Sequence, residues 1–373
     1  MEILYQNLAN IELQHVIMWV IGGILIYLAI AREMEPTLLL PMGFGAILVN
    51  LPIAEAGTGV QAVIDFLFTI GIDSHELFPL LLFVGIGAMI DFEPLLTNPK
   101  LMLFGAAAQF GNFFTLFMAS LFGFDLKDAA SIAIIGAADG PTSIFVAGQL
   151  QSNYIGAIMV AAYSYMALVP LVQPPIIKLC TTKKERQIKM NYKGRKVSKL
   201  TKILFPIVVT MIVALVAPDA VALIGFLMFG NLIRECGVLN SLSDTAQNVL
   251  ANLITIFLGI TNASKMKAED FLQVETLLIM GLGLVAFIVD TFGGIMLAKL
   301  MNLFSKEKIN PMIGAAGISA FPMSARVVHK LGLEEDSSNF LLMHSIGVNV
   351  SGQIASVIAG GLILALVKGM LGL

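Results

Sequence analysis

The sequence predicts an all-α polytopic membrane protein made of two inverted repeats, each with about five crossing helices and one broken re-entrant hairpin. Three observations lead to that reading: an apolar composition, runs long enough to cross a bilayer, and a four-letter motif that recurs half a chain later. Of the 373 residues, 57% are hydrophobic and only 13% charged, where roughly a quarter is usual in a soluble domain. A spanning helix needs about 20 mostly apolar residues, and the runs 16–31, 101–123, 153–179 and 276–300 each come close to or exceed that length. The alternating ten-residue pattern of an outer-membrane barrel is missing. Soluble enzyme, nucleic-acid binder and disulfide scaffold are excluded on the same grounds.

In chain order, apolar segments are expected at about 16–32, 37–53, 76–90, 101–123, 153–179, 203–217, 219–233, 250–262, 273–302 and 339–366. Two further stretches, 127–150 and 308–334, are apolar but interrupted by Gly, Pro and polar residues. Both carry the same letters, Ile135-Gly136-Ala137-Ala138 and Ile313-Gly314-Ala315-Ala316, spaced by 178 residues. Upstream, Phe110-Gly111 and Phe292-Gly293 match as well, and each half opens with two short spans and an amphipathic connector, at about 58–72 and 236–249. The chain therefore divides into a first repeat (1–179) with hairpin 127–150, a basic loop (180–202), and a second repeat (203–373) with hairpin 308–334. Discontinuous helices at matching places of two repeats are where secondary transporters build their binding sites.

Net charge is −3, but its distribution says more: nine of the 22 Lys and Arg fall between Lys183 and Lys202. Placing that loop in the cytoplasm leaves Lys127, Lys265, Lys267 and Lys368 outside and the other 18 inside. Five crossings per half then invert the second repeat relative to the first. Cys180 and Cys236 have no metal-ligand spacing and read as inert thiols. Met1 to His15 reads as mature sequence rather than a signal peptide. No phosphate-loop signature is present, so the chain does not by itself consume ATP.

Asp139 is the leading candidate for chemistry. It lies in Gly136-Ala137-Ala138-Asp139-Gly140-Pro141-Thr142-Ser143, amid apolar sequence. A bare charge at the bilayer centre costs at least about 2.5–3.5 kcal/mol, so it must be paired, hydrated or bound to an ion. Gly140 and Pro141 interrupt the helix and free carbonyls, which with Thr142 and Ser143 make hard oxygen ligands suited to Na⁺ or a proton. The plainer reading is a helix cap before a proline. In the second break Gly317 stands instead of an acid, and the polar groups are Asn310, Ser319, Ser324 and Arg326. Arg326 suits bidentate capture of a carboxylate, or snorkels to the interface. Gln109, Asn112, Asp290, Thr291, Tyr163, Tyr165, Asn349, Ser351 and Gln353 are polar groups within apolar spans, as ready to serve as packing glue as to bind. His344 reads as a packing or interface histidine, with proton relay as the alternative. Lys265-Met266-Lys267 superficially matches a biotinylation site but lacks the flanks of a carrier domain.

The run Gly136-Ala137-Ala138-Asp139-Gly140-Pro141-Thr142 resembles the beta subunit of the biotin-dependent, sodium-pumping decarboxylases. So do Tyr163-Ser164-Tyr165-Met166-Ala167-Leu168-Val169-Pro170, Asn310-Pro311-Met312-Ile313-Gly314, the Ser319 to Arg326 hairpin and Asn349-Val350-Ser351-Gly352. Members serve oxaloacetate, methylmalonyl-CoA or glutaconyl-CoA decarboxylases, and the similarity runs over nearly the whole chain. The resemblance implies a subunit of the bacterial cytoplasmic membrane that decarboxylates carboxybiotin presented by a biotin carrier protein, takes up a proton and exports Na⁺. Its implied partners are a carboxyltransferase alpha subunit, the carrier and a small membrane subunit, with homo-oligomerisation left open. Carried over, Asp139 would be the main Na⁺ ligand, and Asn310, Gly314, Ser319 and Asn349 would complete ion sites. Ser319 would relay a proton with Tyr165, and Arg326 would orient the carboxybiotin. The chain is shorter than oxaloacetate-type members, which leans toward the acyl-CoA branches. The competing readings are a Na⁺-coupled carboxylate symporter or Na⁺/H⁺ antiporter without such chemistry, and a structural membrane anchor.

Overall fold

The computed structural model describes residues 10–52, 59–190 and 196–372. Most of the reading of Met1 to His15, and Lys193 and Arg195 of the basic loop, lie outside the described residues. Among the described residues all regular structure is helical. Six helices are long and apolar enough to cross a membrane: Leu13–Ala31, Pro99–Leu121, Ile155–Cys180, Lys199–Val216, Val274–Phe304 and Leu342–Leu371. The 31 residues of Val274–Phe304 extend about 46 Å at 1.5 Å per residue, more than the roughly 30 Å of a hydrocarbon core. That helix must tilt or project.

Shorter apolar helices fill in between these, including Pro36–Val49, Leu77–Met89, Val221–Cys236 and Ala251–Asn262. The two connectors differ. The first forms helix Val60–Phe68 and a π-turn Thr69–Asp73, bent by 66° from Leu77–Met89. The second, Asn240–Asp244 with the π-helical Thr245–Leu250, runs on into Ala251–Asn262 without a break in the helical chain. The span expected at 101–123 is interrupted at Gln109, between Met102–Ala108 and Phe110–Leu121.

Both interrupted stretches are broken near their middles. In the first, Leu126–Ala133 tightens into the 3₁₀ turn Ile134–Ala137, the chain reverses at Ala138 and Asp139, and Gly140–Gln149 runs back. Ala138 takes the left-handed conformation, φ 51°, which costs a residue with a Cβ about 1–2 kcal/mol. In the second, the 3₁₀ segment Pro311–Gly317 leads through an irregular turn to Met323–Glu335.

Helix Val274–Phe304 acts as a post for both breaks. Its residues Ala286, Asp290 and Gly294 recur at every fourth position and so share a face. A Cβ on Gly136 would come within 2.6 Å of Ala286 and Asp290, and one on Gly314 within 2.1 Å of the Gly294 carbonyl oxygen. Backbone approaches this close admit only glycine, the small-residue packing expected where lipid supplies no hydrophobic drive between helices. Charged contacts gather at the two ends of the bundle. At one end stand Arg186–Glu335 at 2.6 Å, Lys189–Asp336 at 3.0 Å, Lys299–Glu185 at 3.2 Å and Lys202–Glu93. At the other, Lys368 meets Asp219 at 3.0 Å, and Asn50 bridges the Met266 carbonyl and the Ala268 amide.

Gly294 and Gly281 lie on the same helix, yet a Cβ at Gly294 would sit 2.0 Å from the Gly314 oxygen and one at Gly281 meets nothing within 4 Å. Gly294→Ala is expected to destabilise by about 1–3 kcal/mol, the usual cost of overpacking. Gly281→Ala should be neutral or mildly stabilising. Thermal unfolding of the two variants in detergent checks this.

Candidate functional site

Asp139 stands at the N-terminus of Gly140–Gln149, and its two carboxylate oxygens do different work. Oδ1 accepts the Thr142 backbone N–H at 3.2 Å, which is an ordinary helix cap. Oδ2 accepts from Thr142 Oγ1 at 2.8 Å, Ser319 Oγ at 2.8 Å, Ser356 Oγ at 3.0 Å and Gln353 Nε2 at 3.2 Å. The capping reading is therefore right but incomplete. The residue is 3% exposed, and three separated chain segments converge on one of its oxygens.

The two breaks are joined by backbone as well, since the Ser319 N–H donates to the Ala137 carbonyl at 2.9 Å. Ser143 Oγ donates to the Asp139 carbonyl at 2.8 Å, an oxygen that also accepts the Ser143 backbone N–H at 2.9 Å. Asn349 sits one layer away. Its Nδ2 donates to the carbonyls of Ala316 and Ile318 at 3.2 and 2.8 Å, and its buried Oδ1 has no partner among the described residues. Hydroxyls of Thr142, Ser319 and Ser356, the carboxylate and this amide oxygen are hard donors, the chemistry that suits an alkali cation or a proton. Among the described residues no three His, Cys, Asp or Glu side chains form a cluster, so a cation at Asp139 would depend on these neutral oxygens.

The other expected site residues lie apart from Asp139. Gly314 serves packing, pressed on Gly294. Asn310 caps Pro311–Gly317 through the Met312 N–H, and its amide donates to the carbonyls of Arg186 and Ile188 at 2.8 and 2.9 Å. It therefore ties the basic loop to the second break instead of facing Asp139. The Tyr165 hydroxyl is engaged by the Met280 carbonyl. Tyr163, two residues earlier and so on a different helix face, is the tyrosine beside Asp139: its ring would collide at 2.5 Å with a Cβ on Gly140, and its buried hydroxyl lacks a partner among the described residues. Arg326 is exposed on Met323–Glu335. Its charge acts on Glu35, whose carboxyl burial holds above the usual range while Arg326 works against that.

Ser356 was not singled out by the sequence reading. Its signal was the polar series Ser351, Gln353, Ser356 within an apolar helix, a series that reads equally well as glue. Asp290 forms a separate buried centre. Its Oδ1 accepts the Gly111 N–H at 2.6 Å, beside the interruption at Gln109. With the Asn112 amide nitrogen turned toward its oxygen neighbours, Asn112 donates to Asp290 Oδ2 at 3.3 Å and to the Ala133 carbonyl at 2.9 Å.

Residues 14–367 match the protein family described as the Na⁺-transporting oxaloacetate decarboxylase beta subunit. The chain is 52% identical to the methylmalonyl-CoA decarboxylase subunit beta of Veillonella parvula, covering 94% of this chain and 93% of the relative. It is 50% identical to the glutaconyl-CoA decarboxylase subunit beta of Acidaminococcus fermentans, covering 95% and 93%. To the oxaloacetate decarboxylase beta chain of Klebsiella pneumoniae it is 46% identical, covering 95% of each.

Each hydroxyl on Oδ2 makes a charge-assisted hydrogen bond worth about 1.5–3 kcal/mol. In purified protein, Na⁺ should raise the unfolding temperature more than K⁺ does. Asp139→Asn should abolish the difference, and Ser356→Ala, which removes one oxygen that can turn to the ion, should weaken apparent Na⁺ affinity roughly tenfold or more. Tyr165→Phe should leave the Na⁺ effect in place.

Proposed function

The chain belongs to the family of Na⁺-transporting decarboxylase beta subunits, and from that premise we propose that it decarboxylates carboxybiotin and exports Na⁺ across the cytoplasmic membrane of a bacterium. The observation that carries this reading is Asp139 Oδ2, on which hydroxyls from both broken stretches and the last long helix converge. With Na⁺ at that oxygen, the hydroxyls of Thr142, Ser319 and Ser356 would turn lone pairs rather than hydrogens toward it. The carboxylate then carries the ion's counter-charge, which makes burial of Na⁺ affordable in a medium of low dielectric.

Decarboxylation breaks the bond between the biotin ureido nitrogen and the carboxyl carbon, releases CO₂ and leaves the nitrogen to take one proton. Ser319, bonded to both Asp139 and Ala137, would pass that proton, and Asp139 would exchange Na⁺ for a proton at the same oxygen. Tyr165, held on Met280, would join the relay only after moving. Exporting one Na⁺ against 100 mV costs about 2.3 kcal/mol, which loss of CO₂ from an activated carbamate supplies.

Reciprocal packing supports two inverted repeats. Pro36–Val49 packs on Ala251–Asn262 as Val221–Cys236 packs on Leu77–Met89, and Ile155–Cys180 packs on Val274–Phe304 as Leu342–Leu371 packs on Met102–Ala108. On this plan the breaks are re-entrant hairpins that move together past the scaffold, with the basic end in the cytoplasm. There a carboxyltransferase alpha subunit and a biotin carrier protein would dock, while a small membrane subunit completes the complex. Higher identity to the methylmalonyl-CoA and glutaconyl-CoA subunits, 52% and 50% against 46% for the oxaloacetate chain, favours an acyl-CoA substrate for that complex.

In proteoliposomes carrying the purified complex, carboxybiotin should be consumed with accumulation of ²²Na⁺ in the lumen, and Asp139→Asn should lose both activities by about two orders of magnitude or more. Na⁺ movement that follows another solute while carboxybiotin persists would instead establish a plain symporter or antiporter.

A further inference from the structure

The basic end of the bundle holds a cavity of about 640 Å³ with both polar and apolar walls, within the roughly 300–1,000 Å³ typical of small-molecule sites. Lys100, Lys189, Lys308 and His344 line it, with Glu307 the one acid on its walls. Lys189 is engaged by Asp336 at 3.0 Å, and Lys308 donates to the Asn302 carbonyl at 2.5 Å. Lys100 is exposed and forms no ion pair among the described residues. The walls thus carry excess positive charge. A second cavity, about 670 Å³ beside Phe226 and Phe229, has apolar walls and no charged group.

The floor of the basic cavity leads toward the buried carboxylate. Phe104 and Ile313 line it. A Cβ on Gly317 would lie 2.7 Å from the Phe104 carbonyl oxygen, and one on Gly352 would lie 2.2 Å from that of Gly317. Ser319, two residues beyond Gly317, is bonded to Asp139. One layer of close-packed backbone therefore separates the cavity floor from the ion site. Arg326 does not line this cavity.

Resting on the decarboxylase reading, we propose that this vestibule receives the carboxylated ureido ring of carrier-borne biotin, with its carboxylate drawn in by Lys100 and Lys308. A cleft of one charge sign concentrates the opposite ion by 10- to 1,000-fold, and an anion guided here arrives beside the segment that carries Ser319. The ureido ring finds polar partners on the walls, and the fused thiophane ring lies on Leu101, Phe104 and Ile313.

The test is made on the whole complex, with carboxylated carrier protein as the probe. Lys100→Ala/Lys308→Ala should raise its KM roughly tenfold or more, with kcat and half-saturation by Na⁺ unchanged, and Lys100→Arg should keep the wild-type KM. An unchanged KM in the double variant overturns the vestibule while leaving the decarboxylase reading intact. A wild-type complex that leaves carboxybiotin untouched overturns that reading itself. Should the double variant misfold, Thr97→Cys on the vestibule wall, in a background lacking Cys180 and Cys236, is alkylated with a bulky maleimide. Turnover should stop and free biotin should slow the alkylation; full turnover after complete alkylation refutes the proposal.

Discussion

A carboxylate withdrawn from water into a bundle that faces lipid must find donors, and most of the central architecture follows from how Asp139 finds them. One helix cap cannot satisfy two oxygens with several lone pairs between them. The second oxygen therefore recruits Thr142 from its own stretch, Ser319 from the other break, and Gln353 and Ser356 from Leu342–Leu371. These bonds hold two irregular turns together, and inside a bilayer irregular backbone is tolerated only where protein encloses it. Placing any one of them requires the others: the left-handed Ala138 aims the carboxylate, and the Ala137 carbonyl takes the Ser319 N–H.

The close helix approaches serve the same end. Gly136 and Gly314 lie flat on the post helix, and Gly317 is wedged between Phe104 and Gly352. Side chains at these positions would push the turns apart by more than a hydrogen bond can stretch. Asp290, on the post itself, captures the N–H that the interruption at Gln109 leaves exposed. A second buried acid thus steadies the crossing on which the first break rests.

Much of this was legible in the residues. Apolar length located the long helices, and Gly-Pro beside an acid located the first break and its buried carboxylate. The repeated Ile-Gly-Ala-Ala marked the two 3₁₀ segments. What sequence could not settle was which polar residues meet. Ser319 and Asp139 are 180 positions apart, and nothing local distinguishes Ser356 from the many serines used as glue. Tyr163 and Tyr165 are near-equivalent in sequence, but a two-residue step turns a helical side chain through about 200°, so only one faces Gly140. Asn310 carries the right chemistry for a ligand and spends it on the carbonyls of the basic loop, a choice made by tertiary position alone.

That last contact has a mechanical side. Residues 186–189 of the basic loop are held tightly: Arg186 grips Glu335 at 2.6 Å, Lys189 holds Asp336 at 3.0 Å, and Asn310 and Asn339 both bond to the Arg186 carbonyl. Both ends of the second broken stretch are therefore fastened to one short piece of chain at the surface. Any displacement of that piece of chain would pull on Pro311–Gly317 and Met323–Glu335 at once, the two elements that flank the serine bonded to the buried acid.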